Sequence, residues 1–218
     1  TMVVTCAIGV HRELGPGQDE QLYHHALCEA LRQKGIPFEY KPRGRLIHKG
    51  LVADEFEADL IVDDRIIVEL KAMESGFVPE HFTQIICYLK FWQRDLGLLM
   101  DFGKESLVHK RVPYSERSRE VDAESVEDHL AELMPEDRDL ANSMVAALIR
   151  LNDQYGLGYR DTTYLGLLCA EFSAEETPFT GRPSVPLTFA QRELGVGELS
   201  CFVVRGRCAI KVYALYDR

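Results

Sequence analysis

Ala58-Asp59-Leu60-Ile61-Val62, then Asp63-Asp64-Arg65, then Ile66-Ile67-Val68-Glu69-Leu70-Lys71-Ala72 is the stretch whose reading decides the fold. Two short runs rich in β-branched residues and Leu enclose a polar triplet, which is the signal of a β-hairpin. Side chains alternate along a strand, so Ile66, Val68 and Leu70 share one face while Ile67, Glu69 and Lys71 share the other. Asp59 joins them across the hairpin only if the loop has an odd number of residues, and Asp63-Asp64-Arg65 supplies three. Pairing Val62 with Ile66 then sets Asp59 opposite Glu69 and Glu57 opposite Lys71, so four ionisable groups are expected on one patch.

Carboxylates grouped in this way raise one another's pKa unless a cation neutralises them. A divalent metal is the natural partner, since Mg²⁺ prefers carboxylate and water oxygens and assists phosphodiester hydrolysis. Lys71 is a compact charge suited to hold the attacking water or the attacked phosphate. The competing reading is a salt-bridge ladder on an exposed strand face.

Outward from the hairpin, residues 17–34 read as an amphipathic helix stopped by Gly35, with Glu20 and Tyr23 on one side and Gly15 and Gly17 allowing a tight approach. Residues 38–47 read as a strand, and 57–62 and 66–72 as the hairpin. A helix is expected over 79–94, with His81, Gln84 and Tyr88 forming a polar stripe, followed by strands over 96–102 and 106–112. The order is α-β-β-β-α-β-β. The run Lys41-Pro-Arg-Gly-Arg-Leu-Ile-His-Lys49 holds four basic residues and no acid. It reads equally as a solvated edge strand or as a phosphate contact.

Residues 1–112 are therefore expected to form one domain, 113–137 a linker with a short helix over 123–134, and 138–218 a partial copy of the first domain that opens with a helix over 138–155. The copy rests on a single register. Gly15-Pro-Gly17-Gln-Asp-Glu20-Gln-Leu-Tyr23 recurs as Gly156-Leu-Gly158-Tyr-Arg-Asp161-Thr-Thr-Tyr164, and Pro37-Phe38 falls on Pro178-Phe179 at the same offset. One residue is inserted further on, after which Asp59 falls on Cys201, Glu69 on Lys211 and Lys71 on Tyr213. The polar constellation is lost while the apolar positions persist.

At 218 residues with 46% apolar content the chain can bury an ordinary core, and no apolar run approaches the ~20 residues of a membrane span. A cytoplasmic protein with no membrane partner is expected. The six cysteines show neither CxxC nor zinc spacing and read as reduced thiols. A net charge of −10 repels nucleic acid in bulk, so binding it would need a local basic surface or metal ions. GxSxG, HExxH and P-loop signatures are missing, Gly103-Lys104 being followed by Glu105.

Taken together these motifs resemble the GxxExxY group of the PD-(D/E)XK nuclease superfamily over about residues 5–112. The name-giving motif is Gly17-Gln-Asp-Glu20-Gln-Leu-Tyr23, the superfamily signature lies in Ala58-Asp59 and Glu69-Leu70-Lys71, and Gln84-Ile-Ile-Cys-Tyr88 resembles the Q-x-x-x-Y helix of its exonuclease branch. The resemblance implies an α/β restriction-endonuclease-like core, a mixed β-sheet flanked by helices. It further implies Mg²⁺, with Mn²⁺ as a possible substitute, held by Asp59, Glu69 and the Leu70 backbone carbonyl with support from Glu20. Lys71 would assist the water, while Gln84, Tyr88 and Tyr23 would contact the substrate. The expected activity is Mg²⁺-dependent cleavage of DNA by the first copy alone. An interaction or regulatory protein that keeps the fold without cleaving is the alternative. A homodimer, or a pseudo-dimer of the two copies, is the expected assembly.

Overall fold

The structure is a computed structural model that describes residues 1–116, 130, 132–199 and 201–214. The short helix expected over 123–134 falls almost wholly outside the described residues. The chain divides into two compact units. Unit 1 comprises residues 1–46, 55–116 and 158–160, and unit 2 comprises 47–54, 117–157 and 161–218. Among the described residues no helix is long and apolar enough to cross a membrane.

Unit 1 is built on a five-stranded mixed sheet in the order β1 (Phe38–Tyr40), β4 (Leu60–Val62), β5 (Ile66–Lys71), β6 (Leu96–Asp101), β7 (Val108–Pro113). Only β5 and β6 run parallel, and the helix α3 (Pro79–Trp92) connects them, as a parallel pair requires. Val68 and Leu70 of β5, with Leu98, Met100 and Phe102, bury one face of the sheet. They pack against α1 (Met2–Leu14) and α2 (Glu20–Gln33) through Val3, Cys6, Ala7, Val10, Tyr23, Leu27 and Leu31. α3 covers the other face, the one that carries Ile67, Glu69 and Lys71. This mixed sheet flanked by helices agrees with the expected restriction-endonuclease-like core.

The expected element order needs correction in three places. Residues 2–14, to which the expected order assigns no element, form α1. Val3, Cys6, Ala7 and Val10 keep helical spacing, and that stripe is the buried one. The strand expected over 38–47 is two strands, because Lys41 adopts a left-handed backbone (φ 47°) ahead of Pro42, so the chain turns between β1 and β2 (Arg43–His48). Residues 51–57 form a further strand, β3 (Leu51–Glu57), paired with β2. Lys49 and Gly50 sit at φ 47° and 80° between them, both left-handed, as in a two-residue hairpin turn. Glu57 therefore ends the β2–β3 hairpin and does not stand opposite Lys71. Arg43 and Lys41 hold its carboxylate and pull its pKa below the usual carboxylate range.

Unit 2 contains α4 (Pro135–Tyr155), α5 (Asp161–Ala174), a three-stranded sheet in the order β12 (Cys208–Ile210), β11 (Phe202–Val204), β8 (Phe179–Gly181), and the hairpin of β9 (Ser184–Phe189) with β10 (Arg192–Glu198). Pro135 occupies the first turn of α4, where its missing N–H costs nothing, so this helix starts three residues before the expected 138. Elements follow one another as in residues 1–71, α5 starting 141 residues after α2 (Glu20, Asp161) and β8 (Phe179–Gly181) 141 after β1 (Phe38, Phe179). Local bonds recur with them. The Tyr23 hydroxyl donates to the Gly15 carbonyl at 2.6 Å, and the Tyr164 hydroxyl to that of Gly156 at 2.7 Å. Asp63 N–H donates to Pro37 at 2.8 Å, and Arg205 N–H to Pro178 at 2.8 Å. At the positions that follow Asp59, Glu69 and Lys71 in this register, Cys201 is half-buried, and Lys211 and Tyr213 are exposed with the ammonium over the ring.

Candidate active site on the central sheet

The hairpin pairs Val62 with Ile66, as the three-residue loop requires, and its ladder ends at Leu60 with Val68. Asp59 lies one residue beyond the ladder. Its side chain turns onto the neighbouring strand, where Oδ2 accepts the Leu70 N–H at 2.7 Å and the His24 Nε2 lies 3.2 Å away. A side chain that accepts a buried backbone donor is fixed more firmly than a ladder neighbour, since breaking the bond strands the donor. Neither the His24 contact nor the backbone bond was foreseen.

Glu69 is 2% exposed. Its Oε1 accepts from Lys71 Nζ at 2.7 Å, whereas Oε2 is buried without a hydrogen-bond partner. Burial, then the nearby Asp59 charge, push its pKa up to about 7, against the downward pull of Lys71. Burial opposes the charge of Lys71, but Glu69, Asp59 and Glu20 outweigh it and hold the ammonium's pKa above its ordinary value. The structure thus brings Asp59, Glu69 and Lys71 together, with Glu20 at the exposed start of α2 adding its field.

On α3, Gln84 Nε2 donates to the Tyr88 hydroxyl at 2.9 Å. Burial raises the Tyr88 pKa to about 12, with Glu69 and Asp59 adding to the rise. His81 caps the same helix, its Nδ1 accepting the Val78 N–H at 3.2 Å, and burial followed by the Lys71 charge lowers its pKa. A neutral imidazole at neutral pH follows. Tyr23 corrects the expectation of substrate contact. It is fully buried, its ring stacks on Phe102 at 4.6 Å between centroids, and its hydroxyl also accepts the Gln18 N–H, so it fixes the turn before α2.

Asp101 was not singled out by its sequence. It ends β6 beside Lys71 in the parallel ladder and is fully buried, with Oδ1 accepting the N–H groups of Met73 and Gly103 at 3.0 Å each and Oδ2 unpartnered. A Cβ on Gly103 would lie 2.4 Å from the Met73 backbone, so this clamp needs glycine. An acid at the C-terminal end of an inner strand was the available signal.

Among the described residues no three His, Cys, Asp or Glu side chains converge as a protein-only metal cage. The donors present nevertheless suit a hard cation that keeps several waters. Asp59 and Glu69 are adjacent acids, and Glu69 Oε2 has an unused buried lone pair. The basic run does not serve as an open cationic surface, because Lys41 and Arg43 pair with Glu57, Arg45 with Glu55 and Lys49 with Glu171. A different cation flanks the acids. Glu69, Leu99 and Lys110 occupy one row across β5, β6 and β7, which puts exposed Lys110 on the same face of the sheet.

This fold and this acid–amine grouping define a nuclease-like type of core. A sequence profile described as the PD-(D/E)XK nuclease superfamily matches residues 1–112, and the chain belongs to that superfamily. One solved structure, that of SSO0001, is similar with 18% identity and a TM-score of 0.36 over 49% of this chain and 52% of that one, about half its length. No curated protein matches.

Proposed function

We propose that the chain is a Mg²⁺-dependent nuclease of the GxxExxY group that hydrolyses phosphodiester bonds in DNA, with its site in residues 1–112. The single observation that carries this reading is Glu69, a nearly inaccessible carboxylate with one oxygen on Lys71, the other oxygen free, and Asp59 beside it. Burying two acids together is costly without a counter-ion. Asp59, Glu69 and the Leu70 carbonyl would hold Mg²⁺ or Mn²⁺, with Glu20 at the rim. When bound, the metal supplies Lewis acidity and a more acidic water.

The chain's own groups supply the rest. Glu69 accepts one Lys71 hydrogen bond and so aims the ammonium, which holds the attacking water or the phosphate oxygen. Tyr88 stays protonated far above neutral pH and orients the substrate as a donor, fixed by Gln84. Asp59 is held to β5 by the Leu70 N–H, so the acids keep their spacing. Lys110 offers a phosphate contact on the side of the edge strand. Residues 138–218 take no part in the chemistry, because Cys201, Lys211 and Tyr213 stand where acids and amine would be needed. A cytoplasmic location fits six cysteines held as thiols.

Plasmid and single-stranded DNA incubated with Mg²⁺, Mn²⁺ or EDTA test the proposal. Cleavage should require the metal and fall by at least ~100-fold in Glu69→Ala and Lys71→Ala. Activity indifferent to both substitutions would remove the assignment. The paired state of the basic run favours a second reading, a DNA-binding or protein-binding module that does not cleave. That reading predicts metal-independent binding that Glu69→Ala leaves intact.

A further inference from the structure

The tip of the β2–β3 hairpin, residues 47–54, belongs to unit 2 and is seated there on the α4–α5 pair. A buried charge cluster holds it. His48 Nε2 lies 2.6 Å from Glu171 Oε1 and its Nδ1 2.9 Å from the Tyr155 hydroxyl, while Lys49 and Arg150 reach the other Glu171 oxygen at 3.1 and 2.7 Å. Thr163 donates to the Asp54 carboxylate. The contact is close enough to exclude any side chain at Gly166, whose Cβ would lie 1.9 Å from the Ala53 carbonyl oxygen.

The β9–β10 hairpin has the same strand lengths and the same kind of turn, with left-handed φ of 47° and 62° at Ala190 and Gln191. It has no seat. Phe189 is 74%, Leu194 68% and Val196 65% exposed, which is unusual for large apolar side chains gathered on one hairpin. At the offset of 141 residues that relates the two hairpins, His48 is followed by Phe189, Lys49 by Ala190 and Asp54 by Gly195. The seat changes in step with the tip. The helix pair that precedes α4–α5 by the same offset is α1–α2, where Gly9 stands for Arg150, Leu14 for Tyr155, Leu22 for Thr163 and Ala30 for Glu171. Every polar member of the clasp thus has a small or apolar counterpart on both sides of the contact. An apolar tip and an apolar seat complement each other, whereas either would be a poor match to the polar version.

We propose that the β9–β10 tip of one chain seats on the α1–α2 pair of a second copy of this chain, Phe189 entering over Gly9 and Ala30 in the place that His48 takes over Arg150 and Glu171. Tip and seat are different surfaces, so the contact is heterologous and each chain carries one of each. The proposal does not depend on nuclease activity. It predicts self-association of the full chain through the apolar hairpin.

Sedimentation velocity of the full chain at micromolar concentration, with circular dichroism as a folding check, tests it. The native chain should sediment as an oligomer. Phe189→Glu on the tip and Leu22→Arg on the seat, both exposed positions, should each weaken association by at least about 30-fold, the effect of a hot-spot residue. Mixing the two variants leaves one intact tip and one intact seat, so a one-to-one heterodimer that grows no further should form. Leu194→Glu provides a second tip variant if Phe189→Glu fails to fold. A monomeric native chain, an oligomer that withstands the tip variants, or variants that do not combine on mixing would overturn the proposal.

Discussion

Glu69 holds one oxygen against Lys71 and leaves the other buried without a partner, and its titration follows from that position. Its pKa rises from 4.5 to about 7, so the fold prefers the protonated form. Without metal, the contribution of Glu69 to stability is fully present at or below pH 4.5, declines as the pH climbs toward 7, and is lost above it. Thermal unfolding in EDTA between pH 5 and 8 should show this decline, and Glu69→Gln should flatten it while raising the melting temperature at pH 8. Tyr23 is expected to act oppositely. Tyr23→Phe strands the Gln18 N–H and frees the Gly15 carbonyl, at a cost of roughly 1–3 kcal/mol in urea unfolding, with the proposed nuclease activity of the folded protein unchanged. The spacing of Glu69 and Lys71 was legible because alternation alone places them on one face. The burial of Tyr23 was not, since its hydroxyl partner depends on where the preceding loop folds back.

At the scale of elements, the β4–β5 hairpin was legible because a three-residue loop permits one register. α1 carried helical spacing in Val3, Cys6, Ala7 and Val10, yet Gly9 obscured it. β3 was missed because its pattern of Asp, Glu and apolar residues serves two partners, acids toward the arginines of β2 and the tip toward α4 and α5. That tip yields a prediction. Burial would raise the Glu171 pKa, but hydrogen bonds from Arg150, His48 and Lys49 prevail and lower it from 4.5 to about 2. A lowered carboxylate stabilises the fold above pH 4.5 and loses that contribution as the pH falls through 2. Hydrogen exchange of residues 47–54 should therefore accelerate as pH drops through this window, after correction for intrinsic rates. Gly166→Ala should produce the same local opening at neutral pH, costing roughly 1–3 kcal/mol, because the methyl group occupies the Ala53 carbonyl.

Across the whole molecule, the charge of −10 and the proposed substrate stand in tension, and the site resolves it locally. A DNA strand approaching Asp59 and Glu69 meets repulsion that the paired arginines of the β2–β3 hairpin do little to offset, since their charges are already matched by Glu55 and Glu57. Sequence could not reveal this, because the nine-residue run Lys41 to Lys49 contains no acid of its own and the acids come from the returning strand. Lys110 is different. It is exposed on an edge strand, in the row of Glu69, where a backbone phosphate two strands from the acids would pass at roughly 10 Å from them. Lys110→Glu should weaken DNA binding uniformly across sequences and lower the slope of log affinity against log salt by about one unit. Fluorescence anisotropy with a labelled duplex from low to moderate salt reads both quantities. Because the phosphate contact is made equally in ground and transition states, the loss should appear in KM with kcat nearly unchanged. An equal loss from Arg43→Glu would instead show that the hairpin releases its acids on binding, and would return the basic run to the interface.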